Sequence, residues 1–147
     1  MPDLFPAFDI PDEEPDDFEE AFVYKPAPLF DFTTGDFVRD GANRVVMVEG
    51  REAYKNWVEK MLFTPYGTCK AYPALGVDSE GAMAEIDRAG VEATFERVIT
   101  EALIIHPMTE RVREFEFTWD VDALHMRFEV QGRDMPSMTF RLNARRQ

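Results

Sequence analysis

The clearest pattern in the sequence is an alternation of apolar and polar residues in the last third of the chain. Apolar side chains occupy every second position in three runs, 115–121, 124–130 and 138–142. Because successive side chains of a β-strand point to opposite faces, each run predicts a strand with one buried face. Turns at Asp122-Ala123 and over 131–137 would join the runs. The pattern therefore predicts an antiparallel meander whose apolar face needs a covering layer.

Helical spacing upstream of the meander supplies that layer. Apolar residues recur every three or four positions over 51–63 and again over 91–105. Pro65 follows the first pattern and Pro107 the second, and proline ends a helix because it restricts the preceding residue and lacks an amide proton. We therefore expect two amphipathic helices that bury their apolar stripes against the sheet.

Two shorter elements lie between these helices. A short helix is expected over 80–89, with Ser79 as its N-cap and Gly90 as its terminator. A short strand is expected around 70–72. Together with the meander, these elements predict an α+β fold of two layers, in which about three helices cover an antiparallel β-meander.

The N-terminal part of the chain carries a hairpin and an arm. Turn-forming residues Asp40-Gly41-Ala42-Asn43 separate the β-rich segments 37–38 and 45–48, which predicts a small N-terminal hairpin. The first 28 residues hold six of the ten prolines, so regular structure is disfavoured there. We expect an extended arm over 1–30 and a folded domain over 31–147.

The arm differs from an ordinary disordered tail because it is rich in phenylalanine. Its candidate anchors for a partner protein are Phe5, Phe8, Phe18 and Phe22. An alternative is that these side chains pack on the body of the protein itself. Residues 1–22 also contain nine acidic residues and no Lys or Arg.

Charge and cysteine content restrict the possible partners. The chain of 147 residues has a net charge of −13 and one cysteine. Nucleic acids and anionic membranes need positive charge, so neither is expected as a partner. A single cysteine cannot form an internal disulfide framework. The charge is unevenly distributed, because residues 123–147 hold five Arg against two acids.

Candidate chemistry is sparse. His106, His125 and Cys69 have no neighbours at metal-ligand spacing, so neither a metal nor a cofactor is expected. Glu114 and Glu116 could form an acid pair of the kind that glycosidases use. They lie on the polar side of a regular alternation, where Arg127 and Arg141 on neighbouring strands are expected to neutralise them. We therefore expect that the protein is not an enzyme.

Several short motifs occur in a characteristic order along residues 30–142. They are Phe30-Asp31-Phe32-Thr33-Thr34-Gly35-Asp36-Phe37-Val38, Val48-Glu49-Gly50-Arg51-Glu52-Ala53, a helix with Trp57, Leu62-Phe63-Thr64-Pro65-Tyr66-Gly67, Tyr72-Pro73-Ala74-Leu75-Gly76 and Ala102-Leu103-Ile104-Ile105-His106-Pro107. This order resembles the small baseplate wedge proteins, or sheath initiators, of contractile phage tails and related injection systems. Many members carry Glu-Pro-Arg where this chain has His106-Pro107-Met108, so only Pro107 carries over.

The resemblance implies a structural role in the virion, in a tail baseplate that is assembled in the host cytoplasm. The implied partners are larger baseplate wedge proteins and the tail sheath protein, with tube or hub proteins as further candidates. On this interpretation the sheet edge near Arg141 and Arg145 accepts strands of the first sheath ring, Pro107 contacts wedge components, and the four arm phenylalanines anchor the chain. Two alternatives remain: an acidic DNA-mimic inhibitor, and a lysozyme-like peptidoglycan hydrolase, since some family members carry that label.

Overall fold

A computed structural model describes residues 25–146 of the chain. Four two-residue strands come first, followed by three helices and then three long strands. In chain order the elements are β1 (Ala27–Pro28), β2 (Phe30–Asp31), β3 (Asp36–Phe37), β4 (Met47–Val48), α1 (Gly50–Phe63), α2 (Ser79–Met83), α3 (Arg88–Ile104), β5 (Thr109–Asp120), β6 (Ala123–Gly132) and β7 (Met138–Arg145). The α+β prediction is confirmed.

The three long strands form the predicted meander, in the order β5-β6-β7. Alternate residues of the central strand β6 are buried, among them Leu124 and Phe128. They pack with apolar residues of α1 and α3 in a single core. The opposite face of the sheet is polar, so the sheet and the helices form two layers.

Strand β5 departs from simple alternation at two β-bulges. The pairing register with β6 shifts between Thr109 and Arg111 and again between Arg113 and Glu116. Glu114 in the second bulge adopts a positive φ of 58°. The extra residue places Val112 on the same face as Phe115, although three positions separate them, and both pack against the core.

The first turn of the meander lies one residue earlier than predicted. Asp120 pairs with Ala123, so the turn residues are Val121 and Asp122. Val121 was expected to be a buried strand residue, but its side chain is 78% exposed and its φ is 54°. The tight turn requires the left-handed conformation at this position, and a β-branched residue adopts that conformation at a cost of about 1–2 kcal/mol.

The two long helices are confirmed, but the segment between them is corrected. Helix α2 ends at Met83, and its N-cap is Asp78 rather than Ser79, since the Asp78 carboxylate accepts a hydrogen bond from the amide of Gly81. Gly90 does not end this helix. It lies in the first turn of α3, where its amide donates to the N-cap Asp87 at 2.6 Å.

The strand expected around 70–72 is absent; the chain bends there, and the amide of Tyr72 donates to the carbonyl of Cys69 at 3.2 Å. The chain between α1 and α2 is instead fixed at its ends by one parallel bridge between Pro65 and Val77. The amide of Val77 donates to the carbonyl of Thr64 at 3.0 Å. This connection brings Tyr66 and its neighbours to the surface beside β7.

The predicted N-terminal hairpin is present and has an additional strand against it. Arg39 bridges Val45 around the expected loop, and the Asp40 carboxylate accepts hydrogen bonds from two loop amides. Residues 27–31 lie inside or next to the predicted arm. They contain β1, which pairs with β4, and β2, which pairs with β3. The division of the chain at residue 30 remains a prediction.

Asn56 of α1 holds this additional strand in place. Its side-chain oxygen accepts from the amide of Phe30, and its side-chain nitrogen donates to the carbonyl of Pro28, both at 3.2 Å. One amide side chain therefore satisfies two backbone groups of an extended segment, as a neighbouring strand would. These two hydrogen bonds hold residues 28–30 against α1, beside strand β7.

Candidate partner-binding edge

Strand β7 forms one edge of the long sheet and is regular along its whole length. Its eight residues pair with residues 123–130 of β6 without any shift in register. Within residues 25–146 no strand pairs with its other side. An edge strand of this kind presents a row of unpaired backbone groups.

The direction of the β7 amides follows from one hydrogen bond at its end. The amide of Arg146 donates to the carbonyl of Asp122 at 3.1 Å, so residue 146 faces β6. Amide directions alternate along a strand. The even-numbered residues of β7 therefore bond to β6, and four odd-numbered residues direct their N–H and C=O groups outward: Thr139, Arg141, Asn143 and Arg145. We call these four backbone positions the β7 edge.

The other edge of the sheet, β5, is less suited to pairing with a strand. Its two bulges interrupt the spacing of the outward amides, and bulges disrupt further pairing at a sheet edge. On its inner face, Trp119 binds α3 through an indole hydrogen bond of 2.9 Å to Glu92 and lies under the Arg88 guanidinium. The regular edge is therefore β7.

Two hollows lie beside β7, one near each end. The first has a volume of about 580 Å³, and its lining includes Phe30, Phe32 and Arg141. The second has a volume of about 960 Å³, and its lining includes Tyr66 and Arg145. Both are lined by Leu62 and Phe63 at the end of α1. We call the two hollows together the edge groove.

The side chains of Arg141 and Arg145 lie on the polar face of the sheet. Arg141 is directly opposite Arg127 of β6. Arg127 forms an ion pair with Glu116 at 3.3 Å, as expected. Arg141 was also expected to neutralise an acid of β5, but β6 separates it from that strand, and no ion pair involves it within the described residues.

The structure brings together some of the predicted partner-binding residues and separates others. Arg141 and Arg145 share one strand and one face. Pro107 is exposed in the turn before β5, next to Thr109, which pairs with the end of β6 distant from Arg145. The four arm residues Phe5, Phe8, Phe18 and Phe22 lie outside the described residues.

Sequence reasoning did not identify the apolar walls of the edge groove. Phe63 and Tyr66 are more than half exposed, and Ile86 is 99% exposed. Phe63 falls within the helical pattern, Tyr66 within a predicted loop and Ile86 within a predicted helix, so the local pattern does not distinguish any of them as a surface feature. Large apolar side chains grouped on a surface are typical of a binding site.

A comparison with protein families decides the class of the protein. The family model of the contractile injection system sheath initiator matches residues 27–135. The chain belongs to this family. No curated protein matches it.

Membership of the sheath initiator family gives the protein a structural role in a contractile injection system, as part of a tail or baseplate assembly. The resemblance noted in the sequence is thus confirmed. The family match ends at Met135, before β7 begins. The β7 edge therefore lies outside the matched residues.

Three further observations concern alternative chemistry in this sheath initiator. Among residues 25–146 there is no group of three or more His, Cys, Asp or Glu that could hold a metal ion. No helix in the same range is long and apolar enough to cross a membrane. Glu116 is engaged by Arg127, and Glu114 lies in a bulge, so the two carboxylates do not form the simple pair that the alternation suggested.

His106 links the end of α3 to the core of the sheath initiator. Its Nδ1 atom accepts a hydrogen bond of 3.0 Å from the amide of Met108, which requires an unprotonated nitrogen. Its ring lies 4.5 Å from Trp57 and 5.5 Å from Tyr54 between ring centroids. Burial lowers the pKa of His106 below its ordinary value.

This lowered pKa predicts a loss of stability in mild acid. The unfolded chain takes up the His106 proton at a higher pH than the folded protein, so the contribution of His106 is fully present above about pH 6.5 and is lost as pH falls through the folded-state pKa. We expect the free energy of unfolding to fall less steeply between pH 7.5 and 5 in a His106→Asn variant, which retains an acceptor for the Met108 amide. Parallel pH profiles in urea denaturation would contradict this.

Proposed function

We propose that this sheath initiator joins the larger baseplate wedge proteins to the first ring of the tail sheath, and that its β7 edge accepts a strand of the sheath protein. The observation that carries the proposal is the regular, outward-facing row of backbone groups on β7. An added strand satisfies such a row through main-chain hydrogen bonds, while pockets beside it receive alternate side chains. The edge groove supplies apolar pockets of that kind.

The polar face of β7 adds a preference for acidic side chains on the incoming strand. Arg141 and Arg145 lie four residues apart on one face, which corresponds to about 13 Å along a strand. A partner strand that presents carboxylates at this spacing would pair with both guanidinium groups. Its alternate residues would then face the edge groove and should be apolar.

A proline at position 143 tests this edge directly. Asn143→Pro removes one outward N–H group, and the pairing of β7 with β6 does not use that group. The Asn143 side chain also forms a 2.8 Å hydrogen bond with His125, so Asn143→Ala is the matched control for its loss. We expect electron microscopy to show baseplates without sheath for the proline variant and sheathed tails for the alanine variant. Normal sheaths on both would contradict the proposal.

The arm is proposed to contact the wedge proteins through Phe5, Phe8, Phe18 and Phe22, and Pro107 to contact them at the other end of the sheet. Because β1 begins at Ala27, a truncation that tests the arm should remove residues 1–24 and leave β1 intact. The truncated protein should still unfold cooperatively in urea, because the core formed by the helices and the long sheet lies outside the arm, but it should enter baseplates several-fold less efficiently. Incorporation at the full level would exclude a role of the arm in wedge binding.

The proposed location is the tail baseplate of a virion or related injection system, assembled in the host cytoplasm, with tube or hub proteins as further neighbours. We infer that the protein acts without catalysis. The engagement of Glu116 by Arg127 disfavours a peptidoglycan hydrolase that uses the acid pair. A DNA mimic would need rows of acids on the folded surface, whereas the polar sheet face carries Arg113, Arg127, Arg141 and Arg145.

A further inference from the structure

We propose that, before assembly, residues 3–10 of the chain itself lie in the edge groove as an antiparallel strand on the β7 edge, and that the sheath strand displaces them. This inference rests on the proposed function, because it concerns the same edge. It explains how a regular, uncovered edge avoids pairing with the wrong strand, a hazard that other proteins limit with bulges or covering segments. The segment lies outside the described residues, so its own sequence carries the argument.

The alternation within residues 3–10 matches the two sides of the β7 edge. The even positions of Asp3-Leu4-Phe5-Pro6-Ala7-Phe8-Asp9-Ile10 are all apolar, and both acids are odd. With the even side chains in the edge groove and the eight residues opposite the eight of β7, Asp3 would lie opposite Arg145, and Asp9 would lie opposite Thr139 and diagonally next to Arg141. The segment is eight residues long, as is β7.

The position of Pro6 selects the same register. In an antiparallel pair, the residues opposite the outward residues of β7 share their face and direct their own N–H groups toward them. Those residues are the odd ones, and all four of them in this segment have an N–H group. Pro6 is even, so its missing N–H faces away from β7, where proline is tolerated in an edge strand. A slip by one residue would place Pro6 against β7 and both acids in the groove.

The apolar walls of the edge groove also favour the unslipped register. Phe30 and Phe32 line the first hollow, Ile86 lines the second, and Phe63 lines both. In the slipped register Asp3 and Asp9 would face these apolar walls, and the apolar even-numbered residues would face solvent on the polar side of the sheet. Charge inside the groove does not select the register, because its lining contains both acids and bases: Asp31, Glu59, Asp78, Glu80 and Glu85 against Lys55, Arg141, Arg145 and Arg146.

The chain is long enough to place this segment on its own sheet. Residues 11–26 connect it to β1 and can span up to about 55 Å, compared with about 26 Å for an eight-residue strand. Leu29 and Phe30, which follow β1, already line the edge groove together with Phe140. At an effective concentration on the order of 1 mM, a segment with a dissociation constant of about 0.1 mM occupies its site about nine-tenths of the time.

Amide hydrogen exchange on the isolated protein tests the proposal. The N–H groups of Thr139, Arg141, Asn143 and Arg145 should exchange about tenfold more slowly in the full chain than in a chain without residues 1–24. The amide of Leu142, which bonds to β6, serves as an internal control and should exchange equally in both. Phe8→Asp, which places a charge in the groove, should abolish the difference, whereas Phe5→Asp, on the outer face, should preserve it.

Equal exchange of the β7 edge in the full and truncated chains would overturn the inference, and so would protection that increases with protein concentration, since a second copy would then supply the strand. The outcome is separable from that of the proposed function. If exchange is equal but Asn143→Pro still abolishes sheath recruitment, only the self-occupied edge is wrong. If the edge is protected but Asn143→Pro tails carry normal sheaths, the self-occupied edge stands, and the use of that edge by a sheath strand, including the displacement, is wrong.

Discussion

Phe128→Ala is expected to destabilise the folded protein by about 3–5 kcal/mol, because it removes a large side chain from a packed core. Phe128 lies on the central strand β6 and is fully buried. Its ring is 5.2 Å from Phe115 and 6.2 Å from Phe140 between centroids, so one ring connects all three long strands. Since small domains are stable by only about 5–15 kcal/mol, this loss would remove a large share of the total.

Urea denaturation measures the loss of stability. Two control variants separate the loss of core packing from the loss of a phenylalanine as such. Phe128→Leu retains most of the apolar volume and should cost less than about 1.5 kcal/mol. Phe37→Ala removes a phenylalanine that is 41% exposed and should cost less than about 1 kcal/mol. A loss of under about 1.5 kcal/mol for Phe128→Ala would place this ring outside a close-packed core.

A second large effect is expected for proline at position 142, and it tests the direction of the β7 amides. Leu142 is buried, and its N–H group bonds to β6 in the assignment derived from Arg146. Leu142→Pro should therefore be less stable than Leu142→Ala by about 2–3 kcal/mol, because a buried carbonyl of β6 loses its donor. At position 143 the N–H group faces outward, and the difference between proline and alanine should be below about 1 kcal/mol.

The comparison uses alanine at each position as the reference, so the loss of each side chain cancels. Equal proline penalties at positions 142 and 143 would show that the amide directions are wrong, and with them the identity of the β7 edge. The reverse order would assign the edge to the even-numbered residues. Urea denaturation of the four variants is sufficient to decide.

Most of the sheet was predictable from the sequence, because burial of one face imposes alternation on each strand. The bulge at Glu114 was not, since the alternation was read only from Phe115 onward and Val112 had no visible partner. The turn at Val121 was misplaced because a β-branched residue rarely adopts a positive φ. In both places the tertiary structure overrides a local preference.

The helix boundaries, too, could not be predicted fully from local sequence. The sequence predicts Gly90 as a terminator, but the Asp87 carboxylate accepts a hydrogen bond from the Gly90 amide, which lies in the first turn of α3. Glycine is strongly enriched just after helices and only modestly at their start, so its identity alone favours a terminator at position 90. Asn56 could not have been identified either, because its role depends on a strand twenty-six residues earlier in the chain.

The candidate site was predictable only in part. The resemblance directed attention to the sheet edge near Arg141 and Arg145, and the structure places both on the edge strand β7. The alternation did not reveal which of the two edges was regular, because that depends on the bulges of β5. The walls of the edge groove come from three separate parts of the chain, around Phe30, Phe63 and Ile86, which only the tertiary structure brings together.

The most direct test of the central claim is an electron cryo-microscopy map of the assembled tail that resolves the sheath initiator and the first sheath ring. Our account predicts a strand of the sheath protein beside β7, with main-chain hydrogen bonds to Thr139, Arg141, Asn143 and Arg145. Its alternate side chains should occupy the edge groove. A map in which β7 faces solvent, or in which the sheath strand pairs with β5 instead, would contradict the account.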